Sequence, residues 1–547
     1  MRAHRRARQL SGMKAATACL NAAWVGAQAR SYFAFRAALR EPQRAQEAIL
    51  HRYLRLNATT EFGGRHQFHS IRSVRDFQSR VPLSDFDDYQ EAVDAIQSGA
   101  LKILTEERVL CLQPSSGSTR AAKLIPYTRT LQCEFGRAVG PWLFDLARRA
   151  PGILGGPAYW SVTPVNGQSR EPGGRTPAVG FESDSAYLGG WLQRLVQNTL
   201  IDCEDLKHAE NIGEFRTRTL LRLLGEPELR LISVWHPTFL TLLLEELSAS
   251  WEQLLDLLAR GLPAAGRLRA IPPRPRRASQ LKRANPQLPG SLWPRLAVVS
   301  CWGDAHAGGL IAELKKRFAG VWVQPKGLIA TEAVVSIPFE DHQPLAIRSH
   351  FYEFIDDLGG VRTASDLERG AVYSLAVTTG GGLYRYRLRD RVRVEDFVHA
   401  TPSLRFLGKE DKVSDICGEK LSDGAVAVLL ARLLPQCAPE ARFSVLAPEF
   451  EGAVSGYVLY IESGGPVSET LSTSLECGLR ENPNYALCIR LGQLRPASVA
   501  LVPPGSAERY LERLRQSGRR LGDIKPNALS TFSDWRAVFA RPSGVSR

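Results

Sequence analysis

Between Leu112 and Thr128 the chain reads Leu-Gln-Pro-Ser-Ser-Gly-Ser-Thr-Arg-Ala-Ala-Lys-Leu-Ile-Pro-Tyr-Thr. Ser115, Ser116, Ser118 and Thr119 can offer hydroxyl and backbone N–H donors to anionic oxygens, and Gly117 lets the backbone come close to a ligand. Lys123 follows with a compact positive charge on a flexible stem. Such a loop suits the phosphates of a nucleotide, although the Gly-x-x-x-x-Gly-Lys-Ser/Thr spacing of a Walker loop is absent. By itself the segment reads equally well as a Ser/Thr-rich surface turn. No Gly-x-Ser-x-Gly elbow supplies a serine nucleophile. Metal chemistry of the His-Glu-x-x-His type is excluded in the same way, since the ten histidines never take that spacing.

To position the loop, the chain needs strands and helices, and its pattern supplies both. Val109–Leu112 is a predicted strand, which puts the Ser/Gly loop directly at a strand end, where α/β proteins tend to bind ligands. Leu231–Leu247 reads as strand, turn at His236-Pro237, then amphipathic helix. Leu292–Cys301 is a further strand, followed by Trp302-Gly-Asp-Ala-His306, a helix through Phe318 and a strand over Gly320–Pro325. This alternation predicts a mixed α/β sheet with binding loops along one edge. Residues 11–56 are expected to be helical, and Thr60–Thr105 to form short helices and turns. Arg267–Gly290, Pro-rich and basic, reads as a solvated loop. After Ala371 the pattern turns β-rich, with strands at 372–378, 383–388, 392–397 and 404–407 that suit a small barrel or distorted sheet. A compact α+β domain follows: helix 421–434, strands 443–448 and 455–461, helix 467–480, strand 496–502 and helix 507–518.

Composition bounds the rest. The 547 residues exceed one ordinary domain, and 44% hydrophobic with 23% charged residues describes a globular chain with ample core. The net charge of +14 comes mostly from Arg spread along the chain, so it argues for solubility and anionic small ligands, not nucleic acid. Nine cysteines, an odd number with no Cys-x-x-Cys pair, argue against a disulfide framework or zinc site and for a reducing, cytoplasmic compartment. An amphipathic helix accounts for the N-terminal apolar residues better than an export signal, because Lys14, Asn21 and Trp24 interrupt them. No uninterrupted apolar run reaches membrane-spanning length.

The Ser/Gly loop has companions in order. Pro325-Lys-Gly-Leu-Ile-Ala-Thr-Glu332 follows a strand, and Thr378-Thr-Gly-Gly-Gly-Leu-Tyr-Arg-Tyr-Arg-Leu-Arg-Asp390 closes another. Leu407-Gly-Lys-Glu-Asp-Lys-Val-Ser-Asp-Ile-Cys-Gly-Glu-Lys420 and Gly522-Asp-Ile-Lys-Pro526 come later. Taken together, from about Ala45 to Asn527, the set resembles the Gretchen Hagen (auxin-responsive promoter) family of acyl-acid amido synthetases, within the adenylate-forming superfamily. The resemblance implies a large N-terminal ATP- and acyl-binding domain over residues 1–408, a hinge at 409–412 and a smaller mobile α+β domain over 413–547. It implies ATP and Mg²⁺, with a carboxylic acid and an amino acid as substrates and the chain expected to act as a monomer. By position, Ser115, Ser116, Gly117, Ser118 and Thr119 with Lys123 match the phosphate-binding motif. Thr331 and Glu332 match nucleotide contacts, with Glu332 the carboxylate near Mg²⁺. Asp390 matches the residue that holds the ribose hydroxyls, with Arg387 beside it. Lys420 matches a nucleotide-contacting lysine, and Lys525 the lysine that swings over the α-phosphate.

Three positions depart from the family pattern: Arg120, Ala333 and Arg389 each stand where a glycine is usual. They put loop geometry in question more than chemistry. The implied reaction makes an acyl-AMP and then an amide. A thiol acceptor such as coenzyme A or a carrier protein, or a basic nucleotide-binding protein that has lost turnover, are the competing readings. The acyl pocket is expected near Val234–Phe239 and Trp302, stretches that read equally well as core packing.

Overall fold

The structure, a computed structural model, describes residues 17–115, 123–161, 177–179, 199–304, 307–410, 413–414, 416, 419–451, 454–490, 493–516 and 527–540. The mixed α/β chain divides into two compact units. The first comprises Met1–Gly303, Leu310–Leu388 and Val392–Arg405; the second comprises Asp304–Gly309, Arg389–Arg391 and Phe406–Arg547.

The first unit is built on a four-stranded parallel sheet whose spatial order follows the chain: Ala158–Trp160, Leu231–Ser233, Val298–Trp302 and Trp322–Lys326. Every residue of Leu231–Ser233 and of Val298–Trp302 is buried, as expected for parallel strands covered on both faces. Helices Ile212–Leu224, Pro237–Ala249 and Trp251–Arg260 bring leucines such as Leu221, Leu224, Leu243, Leu247 and Leu258 against this sheet. Each such side chain contributes roughly 1.5–3 kcal/mol by leaving water. Arg267–Gly290 corrects the expectation of a loop. It contains helix Pro275–Leu281, which starts on its proline and buries Ala278 and Leu281. Arg274 and Arg277 turn their charge inward, donating to the carbonyls of Gly225, Leu224 and Leu292.

The helical N-terminal region is interrupted, contrary to expectation. A helix over residues 17–27 is followed by Ala29–Ala38 and Pro42–Leu56, because Pro42 fits only the first turn of a new helix. The short helices between Thr60 and Thr105 occur as expected; Val74–Arg80 starts with a Ser73–Asp76 capping box.

A five-stranded sheet has the order Thr401–Lys409, Tyr386–Val398, Val372–Thr378, Phe351–Ile355, Val361–Arg362. Two expected strands, 383–388 and 392–397, are one continuous strand, Tyr386–Val398. Tyr386, Leu388, Asp390, Val392 and Val394 are buried in strict alternation along it, and Val398 is buried at its end. In the second unit, Ala441–Glu451, Val454–Ser463 and Leu494–Leu501 form a sheet, antiparallel then parallel, covered by Asp423–Cys437, Thr470–Leu479 and Ser506–Gln516. Two helices there were unexpected, Pro483–Arg490 and Trp535–Ala540; the second buries Trp535 and Phe539 despite its six residues. Among the described residues, no helix is long and apolar enough to cross a membrane.

Candidate active site

The Ser/Gly loop joins two antiparallel strands. Cys111–Ser115, two residues later than expected, pairs with Lys123–Tyr127 in a register that sets Ser115 opposite Lys123. The loop is therefore a hairpin tip and not a strand-to-helix turn; Ser116–Thr119 and Arg120 lie outside the described residues. Lys123 starts the return strand, with its ammonium 5.9 Å from the Phe86 ring centroid. Thr128 then caps helix Arg129–Arg149 by accepting from Leu131 N–H.

Thr331 and Glu332 occupy the tip of a second, tighter hairpin. Ile329 and Val334 pair across it, and Ala330 N–H donates to Ala333 O at 2.9 Å. Tyr127, on the return strand of the first hairpin, donates its hydroxyl to Thr331 O at 2.5 Å. That bond fastens the Thr331–Glu332 hairpin to the end of the return strand that Lys123 begins. At the foot of this hairpin Gly327 is sterically required, because a Cβ there would lie 2.1 Å from Ser336 O. Ala333 is buried and takes no left-handed backbone, so a glycine is not needed there.

The triple glycine forms the third turn. A Cβ on Gly380 would meet Thr130 at 2.3 Å, and one on Gly381 would meet Pro126 O at 2.5 Å. Thr128 Oγ1 donates to Gly380 O at 2.8 Å. This turn thus packs on the same return strand. The two arginines of Tyr384-Arg-Tyr-Arg387 then part company. Arg385, at φ +49°, is buried; it donates to both oxygens of Glu353 (3.1 and 3.0 Å) and to the carbonyls of Gln78 and Val81. Arg387 is exposed, its backbone held by Ser84 O and its guanidinium 4.0 Å from Asp85. Only Arg387 presents its charge to solvent.

Asp390, Lys420 and Lys525 fall in the second unit. Asp390 sits in the buried row of its strand, where an isolated carboxylate would cost several kcal/mol. Lys409 Nζ lies 2.8 Å from its Oδ1. Arg389 has φ +56°, which explains the usual glycine: the backbone there is left-handed, and an L side chain strains it by ~1–2 kcal/mol. Lys420, exposed and also left-handed at φ +49°, follows the buried Glu419, which accepts from Ile416 N–H and Tyr457 OH. Lys525 lies outside the described residues.

One residue of interest was missed by sequence reasoning. Lys326 ends the last parallel strand, buried, with Nζ donating to Val234 O at 2.8 Å and lying 4.9 Å from the Trp235 ring centroid. Trp302 N–H donates to Trp235 O at 2.9 Å, so Trp235, Trp302 and Lys326 share the carboxyl edge of the sheet. A lysine at the end of a predicted apolar strand was the available signal. Burial pushes the neighbouring Cys301 thiol up to about 12, against the pull of Lys326, so it stays protonated and unreactive. Among the described residues, no three His, Cys, Asp or Glu side chains group to form a metal site.

Three family models match the chain in succession: the GH3 family N-terminal domain at residues 32–322, the central domain at 343–409 and the C-terminal domain at 423–534. The indole-3-acetic acid-amido synthetase GH3.4 of Arabidopsis thaliana is 22% identical over 425 residues, covering 70% of each chain. The jasmonoyl–L-amino acid synthetase JAR4 of Nicotiana attenuata is 21% identical over 487 residues, covering 80% of this chain and 82% of its own. Among solved structures, the GH3.15 acyl acid amido synthetase superposes with a TM-score of 0.77 at 17% identity, over 92% of this chain and 96% of that one.

Proposed function

The chain belongs to the GH3 family, and on that premise we propose that it is an ATP-dependent acyl-acid amido synthetase, joining a carboxylic acid to an amino acid through an acyl-adenylate. The observation that carries this reading is the convergence of three separated turns on one short strand and the residue that follows it. Tyr127 holds Thr331, Thr128 holds Gly380, and Lys123 begins the same strand.

A carboxylate is a poor electrophile: its charge repels nucleophiles and oxide is a bad leaving group. In the proposed first step a carboxylate oxygen attacks the α-phosphorus of ATP, the bond to the bridging oxygen breaks, and pyrophosphate leaves with that electron pair. The Ser115–Thr119 loop and Lys123 cradle the phosphates, and Arg387 offers its exposed guanidinium nearby in sequence to Asp390. Lys525 neutralises charge developing at the α-phosphate. Thr331 and Lys420 contact the nucleotide. Asp390 accepts from the ribose hydroxyls, sharing or exchanging its bond to Lys409.

Glu332, a single carboxylate at a hairpin tip, fits Mg²⁺, which binds through one or two carboxylates plus substrate phosphates and needs no protein cage. When bound, Mg²⁺ supplies charge neutralisation on the phosphate oxygens. In the second step the neutral amine nitrogen attacks the acyl carbon, the bond from that carbon to the phosphate oxygen breaks, AMP departs with that electron pair, and the nitrogen releases one proton to solvent. The acyl group is seated along Trp235, Trp302 and Lys326. The reading includes a domain boundary with a hinge at residues 409–412, supported by the family-model boundaries at 409 and 423, and a cytoplasmic location.

A pyrophosphate-release screen with ATP, Mg²⁺ and a panel of carboxylic acids, with products identified by mass, tests the proposal. Amide formation with amino acids is the expected result. Thioester formation with coenzyme A in its place would reassign the acceptor, and ATP binding without acid-dependent pyrophosphate release would overturn catalysis altogether.

A further inference from the structure

Behind the turns lies a fully buried pair that no step above uses. Glu134, on helix Arg129–Arg149, and His350 are both 0% exposed. Glu134 Oε2 accepts from Gly380 N–H at 2.9 Å and lies 3.1 Å from His350 Nδ1. On the other side of the ring, Val334 N–H donates to His350 Nε2 at 3.2 Å. A backbone amide can only donate, so Nε2 carries no proton; Nδ1 carries it and donates to Glu134. The imidazole is thereby fixed as one neutral tautomer.

The ends of this chain of bonds are informative. Gly380 belongs to the glycine turn, and Val334 is the foot of the hairpin that presents Thr331 and Glu332. The helix carrying Glu134 is capped by Thr128, the residue directly after the return strand of the Lys123 hairpin. Glu134 and His350 therefore bond two of the turns to each other and to the helix that continues from the third. The ring is held edge-on by Phe135 and Tyr352, with centroids at 5.9 and 6.0 Å. Its backbone carbonyl accepts from Gln46 Nε2 at 2.8 Å.

A buried carboxylate is a weak source of stability, because an apolar pair of similar volume often packs as well or better. What apolar packing cannot supply is direction. We propose that Glu134 and His350 are positioning residues for the nucleotide turns, and that their hydrogen bonds set the affinity for ATP. This inference rests on the reading of those turns as the ATP site.

The test compares wild type, Glu134→Gln, which keeps an acceptor oxygen for both donors, and the double variant Glu134→Leu/His350→Phe, which keeps volume and removes every side-chain bond of the pair. The double variant is expected to raise KM for ATP by about tenfold or more, leaving buried amides unpaired. KM for the acid and kcat stay within about twofold, and Glu134→Gln stays near wild type. An unchanged KM for ATP, or an equal rise in both KM values, would overturn the proposal.

Amide hydrogen exchange provides a readout independent of activity. Val334 and Gly380 should be protected in wild type and lose that protection together in the double variant. Should the double variant fail to fold, fast exchange of either amide in the wild type would still sink the idea. If wild type releases no pyrophosphate with any acid, the functional reading fails, while the exchange data continue to decide whether the pair holds the turns.

Discussion

The leucine-rich parallel sheet and the turns around Tyr127 are held by different forces. Leu221, Leu224 and Leu258 pack on the sheet through contacts that change little with a small rotation. The turns are held by Tyr127–Thr331, Thr128–Gly380, Gly380–Glu134 and Val334–His350, and hydrogen bonds weaken steeply once bent below ~120°. Apolar burial locates elements, whereas directed bonds locate atoms. A frame substitution should therefore cost stability with little change in ligand affinity, and a turn substitution the reverse.

The largest expected effect lies in the frame. Arg222 grips both oxygens of the buried Asp205 at 2.6 and 2.7 Å, and Arg269 N–H adds a third bond. Arg222→Ala should cost roughly 3–5 kcal/mol, read as a lower melting temperature with KM for ATP unchanged in the folded fraction. Burial alone would raise the Asp205 carboxyl, but Arg222 and the Arg269 amide hold it well below the usual range. A depressed carboxyl stabilises the fold above its unfolded value of about 3.9 and loses that contribution as pH falls through the folded value. The gap between wild type and variant should be full at pH 7 and narrow in acid; a widening gap would contradict the assignment.

Next comes Lys525→Ala, expected to slow acyl-AMP formation by about 10²–10³ while leaving amine attack on supplied acyl-AMP largely intact. Equal loss in both half-reactions would remove Lys525 from the adenylation step. Tyr127→Phe leaves the Thr331 carbonyl without its donor and should raise KM for ATP by about tenfold, with only a small shift in melting. A lower melting temperature at constant KM would transfer Tyr127 to the frame and blur the contrast between the two regions. The smallest effect is that of Arg389→Gly. Relief of the left-handed backbone should gain about 1 kcal/mol, partly offset by added freedom in the unfolded chain. The urea midpoint checks it.

The motifs were legible because each is local. Apolar runs marked three of the four parallel strands, the one expected at Leu292–Cys301 starting six residues later at Val298, and Ala158–Trp160 was not among them; one strand, Tyr386–Val398, stands where two were expected. The helix Pro275–Leu281 was hidden because its basic residues imitate a solvated loop, whereas Arg274 and Arg277 in fact satisfy carbonyls of distant elements. The usual glycine at position 389 acquired its reason only from the backbone angle.

The sequence by itself determined the family, the order of the motifs and the residue types they carry, because these depend on neighbours along the chain. It could not decide which arginine of Tyr-Arg-Tyr-Arg is buried against Glu353 and which faces water. Nor could it show Lys326 beside Trp235, or Glu134 bonded to His350 across 216 positions. Those pairings exist only once the chain has closed long loops, since the direction of a side chain is set by what packs against it and not by its place in the sequence.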